Sequence, residues 1–387
     1  MSIQGRTVGV VFGSRSVEHE ISIITAVQAM AVLQELGARV VPLYITKSGR
    51  WLTAPQFTAL EAFRPTLPEE GTPVHLDLAR GRLLAAASSR LGRPRDLEVE
   101  VLLPCVHGTM GEDGTLAGLA ELVSLPQAGS PTLAAALAMD KLRSKQLFQA
   151  GGLPVLPARP AESVERARQV AAELGYPLVV KPNRGGSSVG VSVVGAAPEL
   201  EEAIEVALGL DSLAILEPAL VGATDLNCAV KVGPPRASEV ERPLKQGTVL
   251  SYSDKYLTKG ALKGGPSKGS LDPKGALPDP RRELPAQIPR ELRQRVQDLA
   301  VSAFDALGCR GVARVDFLLS AQGELYLNEV NTIPGSLAYY LWQASGTSYA
   351  QLLEEMVEEA LAGPPPRRLA LEGNLLEGPP APGSPLA

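Results

Sequence analysis

The sequence has few of the residues that mark secreted, redox-active or membrane proteins. Its 387 residues include three cysteines, Cys105, Cys228 and Cys309, which are far apart and form neither a CxxC motif nor a Cys/His cluster. We interpret them as buried, reduced thiols. The apolar run before Gly13 is too short for a signal-peptide core, and no later run approaches a membrane-spanning length. These absences predict a cytoplasmic protein without a membrane partner.

An excess of basic residues is also missing, because the formal net charge is -5. Binding to a nucleic-acid backbone depends on clustered Lys and Arg, so nucleic acid is not an expected partner. Apolar residues make up 45% of the chain, which is enough for sizeable cores. On length alone, such a chain forms roughly two to three domains.

The first part of the chain alternates strand and helix patterns. "TVGVVFG" and "ARVVPLYI" are typical of buried strands, and the segment "ISIITAVQAMAVLQELG" between them is typical of an amphipathic helix. "EVEVLLPCVHG" repeats the strand pattern, which predicts a parallel sheet with ligands at the carboxyl ends of its strands. No GxGxxG follows "VGVVFG", and this argues against a nucleotide-dependent dehydrogenase of the Rossmann type.

The rest of the chain predicts a mixture of α/β and α+β architecture. "SPTLAAALAMDKLRSKQLFQAGG" has a helical pattern and leads into a smaller α+β domain, and a third region carries further strands and a long helix. Residues 260–282 are rich in Gly, Pro and Lys and predict a long mobile loop. The predicted units are an N-terminal α/β domain, a small central domain, a C-terminal domain and a Pro-rich disordered tail, at residues 1–130, 131–217, 218–362 and 363–387.

"RVDFLLSAQGELYLNEVN" predicts a hairpin with Gln322 and Gly323 as the central turn residues. In this register Asp316 lies opposite Glu329, and Arg314 lies opposite Asn331. Two directly opposed carboxylates repel unless a divalent cation lies between them, and such oxygens are ligands that Mg²⁺ takes. A solvated polar face, or a register shifted by one residue, is the alternative.

"VVKPNRGGSSVGVSVV" places a Gly/Ser turn between two strand patterns, with Lys181 at the end of the first. Backbone N–H groups and the hydroxyls of Ser187 and Ser188 could wrap a phosphate, although such a segment is more often a simple turn. His107 opens a loop with Glu112 and Asp113 at a strand end, which is a plausible substrate position.

Six motifs occur in an order that resembles the D-alanine–D-alanine ligases of the ATP-grasp superfamily. They are "GSRSVEHEIS", "HGTMGEDGTLAG", "AMDKLRSK", "VVKPNRGGSSVGVSVV", "YSDKYL" and "RVDF…LNEVNTIPG". The resemblance runs from about Val8 to Trp342. It implies a three-domain ATP-grasp architecture: an N-terminal parallel-sheet domain that binds substrate, a small central subdomain, and a C-terminal domain that carries the metal site.

The resemblance also implies roles in ATP binding, between the central and C-terminal units. The phosphates would contact Lys141, Lys181 and Ser188, the adenine hinge would be marked by Glu217, the ribose by Asp225, and Lys255 would reach toward ATP. Asp316, Glu329 and Asn331 match the metal ligands, usually for two Mg²⁺ ions, with Mn²⁺ as an alternative.

By the same resemblance, the chain is an ATP-dependent ligase that makes D-alanyl-D-alanine for peptidoglycan precursors through an acylphosphate. Glu18 would take the ammonium of the first D-alanine, joined by Ser187 and Tyr256, which close the loop over the site. Arg314 and the N–H of Gly335 would hold the oxygen that becomes anionic. A homodimer is expected because the family usually forms one.

The sequence departs from the family pattern after "NTIPG". Tyr340 stands where the family has a serine that binds the second substrate's carboxylate, and Leu341 follows it. The same ligation with a different amino or hydroxy acid as second substrate is therefore an alternative. A non-catalytic nucleotide-binding regulator is an alternative of another class, and the intact set of lysines and metal ligands argues against it.

Overall fold

The computed structural model describes residues 3–87, 89, 92–244 and 282–363. Within these ranges the chain forms three sheets, which occupy successive parts of the sequence. The predicted combination of α/β and α+β architecture is confirmed. The boundaries proposed for the individual domains stay predictions. Among the described residues, no helix combines the length and apolar character that crossing a bilayer requires.

The N-terminal sheet has a parallel centre, as the sequence predicts. Strand β1 (Thr7–Gly13) is buried along its whole length and pairs in parallel with β2 (Arg39–Ile45) and β7 (Val101–Pro104). Helix α1 (His19–Glu35) connects β1 to β2. The outer strands β3, β4, β5 and β6 pair antiparallel, so this sheet is mixed rather than fully parallel. Their bounds are Trp51–Thr53, Thr72–Asp77, Arg82–Ala85 and Arg95–Asp96.

The next sheet is a small antiparallel one with the order β10-β9-β11-β8. Its strands span Arg159–Ala161 (β8), Leu178–Pro182 (β9), Ser192–Val194 (β10) and Ala214–Pro218 (β11). Helices α5 (Val164–Leu174) and α6 (Leu200–Leu208) pack against it, and their apolar faces form a core with the strands. The Gly/Ser segment connects β9 to β10, and we call residues 183–191 the flap.

The five-stranded sheet, ordered β14-β13-β12-β15-β16, carries the carboxylate hairpin. Helix α7 (Arg290–Leu307) covers one face and leaves the other to the polar residues of the hairpin. The strands span Thr224–Lys231 (β12), Arg236–Pro243 (β13), Arg282–Glu283 (β14), Val312–Leu319 (β15) and Leu325–Asn331 (β16). The predicted loop at 260–282 lies outside the described residues, apart from Arg282 in β14.

The remaining helices connect these layers. The continuous helix predicted before Gly151 is wrong: α3 (Thr132–Met139) ends, and α4 (Lys141–Ala150) begins, at Asp140. The Asp140 side chain accepts a hydrogen bond from the N–H of Arg143, so it caps α4 and places Lys141 at the helix start. Helices α2 (Thr115–Leu122), α8 (Tyr339–Ala344) and α9 (Tyr349–Ala362) complete the described fold.

The buried cores hold the last two helices against the N-terminal sheet and enclose the three cysteines. Residues of α8 and α9, among them Trp342 and Leu352, share one core with the N-terminal sheet, so these two helices return to that sheet. All three cysteines are buried and free, which confirms the interpretation from sequence. Burial raises the pKa of the Cys228 thiol to about 12, so this thiol is not reactive at neutral pH.

Candidate active site

One cleft between the flap, the small sheet and the five-stranded sheet brings together most of the predicted ATP and metal residues. Its lining includes Lys141, Lys181, Ser187, Ser188, Glu217, Asp225, Arg314, Asp316 and Glu329. We call it the central cleft. These residues come from segments almost 200 positions apart, so their convergence results from the fold.

The predicted register of the hairpin, in which the two acidic residues are directly opposite each other, is confirmed. Asp316 pairs with Glu329, and Arg314 pairs with Asn331, across β15 and β16. The predicted two-residue turn is wrong, however, because Leu319 pairs with Leu325 and the N–H of Ser320 donates to the carbonyl of Glu324, which leaves a three-residue loop.

A β-bulge reconciles the longer loop with the predicted register. Phe317 pairs with Leu327 while Asp316 pairs with Glu329, so Asn328 is an extra residue on β16. The bulge interrupts the alternation of side chains, and both Asn328 and Glu329 line the central cleft. The hairpin therefore presents one more polar side chain to the cleft than a regular strand would.

The predicted metal ligands are held by neighbouring donors. Both carboxylate oxygens of Asp316 accept from Arg314, at 2.6 and 2.7 Å, and the Asn331 amide nitrogen lies 3.1 Å from Asp316 Oδ2. Burial by itself would lower the pKa of the Arg314 guanidinium, but the charge of Asp316 outweighs burial and raises this pKa above its usual value. Arg314 is therefore a permanent cation beside the acids.

Lys141 connects the hairpin to the flap. Its Nζ donates to the carbonyl of Gly185 at 2.6 Å and lies 3.6 Å from Glu329 Oε2. The side chain is nearly buried, because α4 begins at Lys141 beneath the flap. Lys141 is therefore buried between the hairpin and the flap and is not a solvated surface lysine.

A second, fully buried charge cluster supports the lysine of β9. Glu217 on β11 lies between two ammonium groups, with Lys145 Nζ at 3.1 Å and Lys181 Nζ at 2.9 Å from its carboxylate oxygens. Burial would raise the pKa of the Glu217 carboxyl, but the two lysine charges outweigh burial and lower it. Burial lowers the pKa of Lys145, and the charge of Glu217 opposes this only in part.

The flap is closed onto the N-terminal domain. Ser187 Oγ donates a hydrogen bond to Glu18 Oε1, and Glu18 is itself buried at the start of α1. A Cβ placed on Gly186 would lie 2.5 Å from Glu18 Oε2, so a larger residue here would displace the Glu18 carboxylate. Ser187 and Ser188 both have positive φ, of 52° and 59°, a backbone conformation that residues with a Cβ seldom adopt.

His107, predicted as a substrate contact, is buried with both ring nitrogens engaged. Nε2 lies 2.8 Å from Thr25 Oγ1, and Nδ1 lies 3.3 Å from Glu112 Oε1. Burial raises the pKa of the Glu112 carboxyl, and the charge of Glu18 acts in the same direction. His107 is therefore a buried residue whose ring contacts Thr25 and Glu112 rather than solvent.

The segment after Gly335 adopts an uncommon backbone. Ser336, Leu337 and Ala338 have φ values of 50°, 52° and 52°, which form one left-handed turn. Each residue with a Cβ pays about 1–2 kcal/mol in this conformation, so surrounding contacts must hold it. Leu337 and Ala338 are buried in the N-terminal core, and this turn follows Gly335 directly.

The two residues predicted to contact the second substrate have different surroundings. Tyr340 Oη donates to Glu241 Oε1 at 2.9 Å, and the guanidinium of Arg282 lies 4.1 Å over the tyrosine ring. A substrate carboxylate would therefore compete with Glu241 for the single hydroxyl proton. The Leu341 side chain is fully buried in the N-terminal core, so only its backbone could contact a substrate.

Two predicted site residues lie outside the described part of the chain, and other residues of the site are not indicated by any sequence pattern. Lys255 and Tyr256 lie outside the described residues, and Asp225 lines the central cleft from β12. No sequence pattern indicates the bulge at Asn328 or the partner of Tyr340. Lys145 follows Lys141 by four positions on one helix face, and this spacing could have identified it.

Comparison with known proteins identifies two family models that cover most of the chain. The model described as D-ala D-ala ligase N-terminus matches residues 7–130. The model described as D-ala D-ala ligase C-terminus matches residues 147–266 and 278–358.

Individual relatives and solved structures agree with these matches. The chain is 34% identical to the D-alanine–D-alanine ligase of Thermosipho africanus, covering 91% of this chain and 92% of that one. It is 33% identical to D-alanine–D-alanine ligase A of Salmonella typhimurium, covering 92% and 95%. The structure of D-alanyl-alanine synthetase A from Vibrio cholerae has a TM-score of 0.74, 26% identity and coverage of 94% and 99%. The VanG D-Ala:D-Ser ligase of Enterococcus faecalis has a TM-score of 0.73, 28% identity and coverage of 92% and 100%.

Proposed function

The chain belongs to the D-alanine–D-alanine ligase family, and we propose that it joins two D-alanine molecules into D-alanyl-D-alanine with consumption of ATP. The observation that carries this proposal is the central cleft, where two lysines and the acids of the hairpin face a glycine-rich flap. Such an arrangement binds a polyphosphate between cations and closes over it. The product would serve peptidoglycan precursor synthesis in the cytoplasm.

ATP lies in the central cleft in this proposal. Lys141 and Lys181 contact its phosphates, since both ammonium groups are buried at the base of the flap and line the cleft. Ser188 contributes from the flap, Glu217 marks the adenine end and Asp225 takes the ribose. Lys255 is proposed to reach the nucleotide from the segment outside the described residues.

The residues of the hairpin fit a magnesium site. Asp316 and Glu329 are cross-strand neighbours, Asn331 lies beside them, and oxygens of this kind are ligands that Mg²⁺ prefers. We propose two Mg²⁺ ions, for which Mn²⁺ could substitute. The metal would neutralise charge on the transferred phosphoryl group. Arg314 already occupies both oxygens of Asp316, so this side chain would have to share them.

The reaction needs a carboxylate that is activated without hydrolysis. A carboxylate oxygen of the first D-alanine attacks the γ-phosphorus of ATP, the bond to ADP breaks, and an acylphosphate forms. The amine of the second D-alanine, after losing a proton, attacks the carbonyl carbon, and phosphate leaves with the electrons of the broken C–O bond. Arg314 and the N–H of Gly335 stabilise the oxygen that becomes anionic.

The flap and Glu18 hold the first substrate and exclude water. Glu18 is proposed to bind the ammonium group of the first D-alanine, and its hydrogen bond from Ser187 keeps the flap against the N-terminal domain. Tyr256 is proposed to join them from outside the described residues. Closure protects the acylphosphate, because water reaching this intermediate would hydrolyse it.

We propose D-alanine as the second substrate, with another amino or hydroxy acid as the alternative. Tyr340 and Leu341 are proposed to contact it, but the Tyr340 hydroxyl donates to Glu241. A D-Ala:D-Ser ligase among the structural neighbours supports testing acceptors other than D-alanine. We also propose a homodimer, which sedimentation would test.

A phosphate-release assay with product mass spectrometry tests the function. We expect release to require ATP, Mg²⁺ and D-alanine, with L-alanine, D-serine and D-lactate compared as second substrates. Glu329→Gln should lower the rate by about 10²-fold or more, because a charged ligand is lost. Glu324→Gln, an exposed substitution on the same hairpin, is the matched control.

The possible results of this assay test the ligase activity, the metal assignment and the regulator alternative separately. Absence of stimulation by any amino or hydroxy acid would contradict the ligase proposal. Full activity of Glu329→Gln would contradict the metal assignment. Nucleotide binding without turnover in the unsubstituted protein would favour the non-catalytic regulator.

A further inference from the structure

A chain of hydrogen bonds links the N-terminal domain to the left-handed turn after Gly335. The N–H of Ser336 donates to Thr25 Oγ1 at 3.0 Å, and Thr25 Oγ1 lies 2.8 Å from His107 Nε2. A backbone N–H can only donate, so the Thr25 hydroxyl accepts from Ser336 and keeps its own proton and a second lone pair for the contact with His107 Nε2. The other ring nitrogen of His107, Nδ1, lies 3.3 Å from Glu112 Oε1.

The left-handed turn depends on contacts that hold it. Leu337 and Ala338 are held by burial, being 1% and 0% exposed. Ser336 is only partly buried, and the bond to Thr25 is what fixes its backbone to the N-terminal domain. Thr25 is itself 1% exposed within α1, so water cannot replace this acceptor.

Helix α1 places Thr25 and Glu18 in one rigid element. Glu18 directly precedes the first residue of α1, and Thr25 lies about two turns further along the same helix. In the proposed function, Glu18 binds the ammonium group of the first D-alanine and Gly335 binds its carboxylate. The bond from Ser336 to Thr25 therefore ties the carboxylate end of that site to the helix that carries its ammonium end.

We propose that Thr25, oriented by His107, is a positioning residue that sets the spacing between the ammonium and carboxylate sites of the first substrate. This inference rests on the proposed ligase function. It also gives His107 a role that agrees with its burial, because both of its nitrogens act through Thr25 and Glu112 and neither faces a substrate.

Thr25→Val tests the inference, since valine has nearly the same shape and lacks the hydroxyl. We expect the D-alanine concentration for half-maximal phosphate release to rise about tenfold, and that for ATP to change less than twofold. The ammonium and carboxylate of β-alanine are one carbon further apart than those of D-alanine. Thr25→Val should therefore change the concentration of β-alanine for half-maximal inhibition by a smaller factor than the concentration of D-alanine for half-maximal phosphate release. Thr25→Ser keeps a hydroxyl and should stay within about twofold of the unsubstituted protein for D-alanine.

Thr332→Val is the matched control. The Thr332 hydroxyl is also buried, and within the described part of the chain it makes no hydrogen bond, so the same isosteric change should leave D-alanine saturation unaltered. Thermal melting of each variant monitors folding. If Thr25→Val does not fold, Thr25→Ala removes the same hydroxyl with a smaller side chain.

The outcomes separate the inference from the function on which it rests. An unsubstituted protein without D-alanine-dependent phosphate release would contradict the proposed function. An active protein whose Thr25 variants keep normal D-alanine saturation would overturn the positioning role. A loss in Thr25→Val that Thr25→Ser does not restore would also overturn it, since packing would then be the cause.

Discussion

The buried cluster around Glu217 predicts a large and local loss of stability when its carboxylate is neutralised. Glu217 is 3% exposed and has an ammonium group on each side, at 3.1 Å for Lys145 and 2.9 Å for Lys181. Glu217→Gln keeps the shape of the side chain and leaves two buried lysines without their shared counter-ion. Removing one partner of a buried ion pair costs about 3–5 kcal/mol.

Hydrogen exchange measures this cost where it occurs. Both tryptophans, Trp51 and Trp342, lie outside the small sheet, so their fluorescence would not report on it. A loss of about 3–5 kcal/mol corresponds to roughly 10²- to 5 × 10³-fold faster exchange of the amides of β9 and β11, at 1.36 kcal/mol per factor of ten. Amides of β1 and β2 should exchange at unchanged rates.

A matched control and a double-substitution cycle complete the test. Glu205→Gln changes an exposed glutamate on α6, the helix that packs against the same sheet. It should leave the exchange rates of the β9 and β11 amides within about twofold of those in the unsubstituted protein. Combining Lys145→Met with Glu217→Gln should cost less than the sum of the two single changes, since each removes the other's partner. Unchanged protection in Glu217→Gln, or strict additivity, would refute the charge-pair account.

Further predictions concern pH, the flap and the bulge. The pKa of the Glu112 carboxyl is raised above its ordinary value of 4.5 in the folded protein, so the folded state keeps a proton that the unfolded chain loses, and stability falls as pH rises from about 4.5 through the raised pKa. Glu112→Gln does not titrate, so its free energy of unfolding in urea should increase relative to that of the unsubstituted protein over that range. A difference that does not depend on pH would contradict this. Gly186→Ala should weaken flap closure onto Glu18, seen as more ATP hydrolysed per dipeptide formed, because its Cβ would meet a carboxylate oxygen at 2.5 Å. Deleting Asn328 should remove the bulge and the amide that lies 3.4 Å from Lys181 Nζ, while Asp316 stays opposite Glu329. We expect the ligation rate to fall about tenfold, because a hydrogen bond to a charged group is lost, with an unchanged far-UV circular dichroism spectrum; an unchanged rate would contradict a role for the bulge.

The sequence predicts those parts of the site that depend on local patterns. The alternation along the hairpin is enough to place Asp316 opposite Glu329, even though the turn has three residues, because the bulge at Asn328 restores the register that a two-residue turn would have given. Contacts between distant segments leave no such pattern. Thr25 and Ser336 are 311 positions apart, and nothing near either residue indicates that the other will be its partner.

The split of the predicted helix shows a similar limit. The apolar spacing continues from α3 into α4, and periodicity alone predicts a single helix. The Asp140 carboxylate caps the second helix, and this polar contact overrides the pattern. The consequence is functional, since the break places Lys141 at a helix start under the flap rather than in the middle of an exposed helix.

The charges of the site form a row that crosses four strands. Glu241, Asn227, Asp316 and Glu329 are successive cross-strand partners on β13, β12, β15 and β16. Each acid in this row has a cation beside it: Arg282 lies 3.2 Å from Glu241, Arg314 lies 2.6 Å from Asp316, and Lys141 lies 3.6 Å from Glu329.

Because each acid of the row is already matched by a cation, the protein's own charges cannot by themselves neutralise a nucleotide triphosphate. A bound triphosphate adds several negative charges next to Asp316 and Glu329, and buried charge without compensation is costly. In the proposed function, divalent cations would supply the missing positive charge at the end of the row where the two acids are direct neighbours. At the other end of the row, Glu241 accepts a hydrogen bond from Tyr340. The same row therefore connects the proposed metal site to the proposed contact with the second substrate.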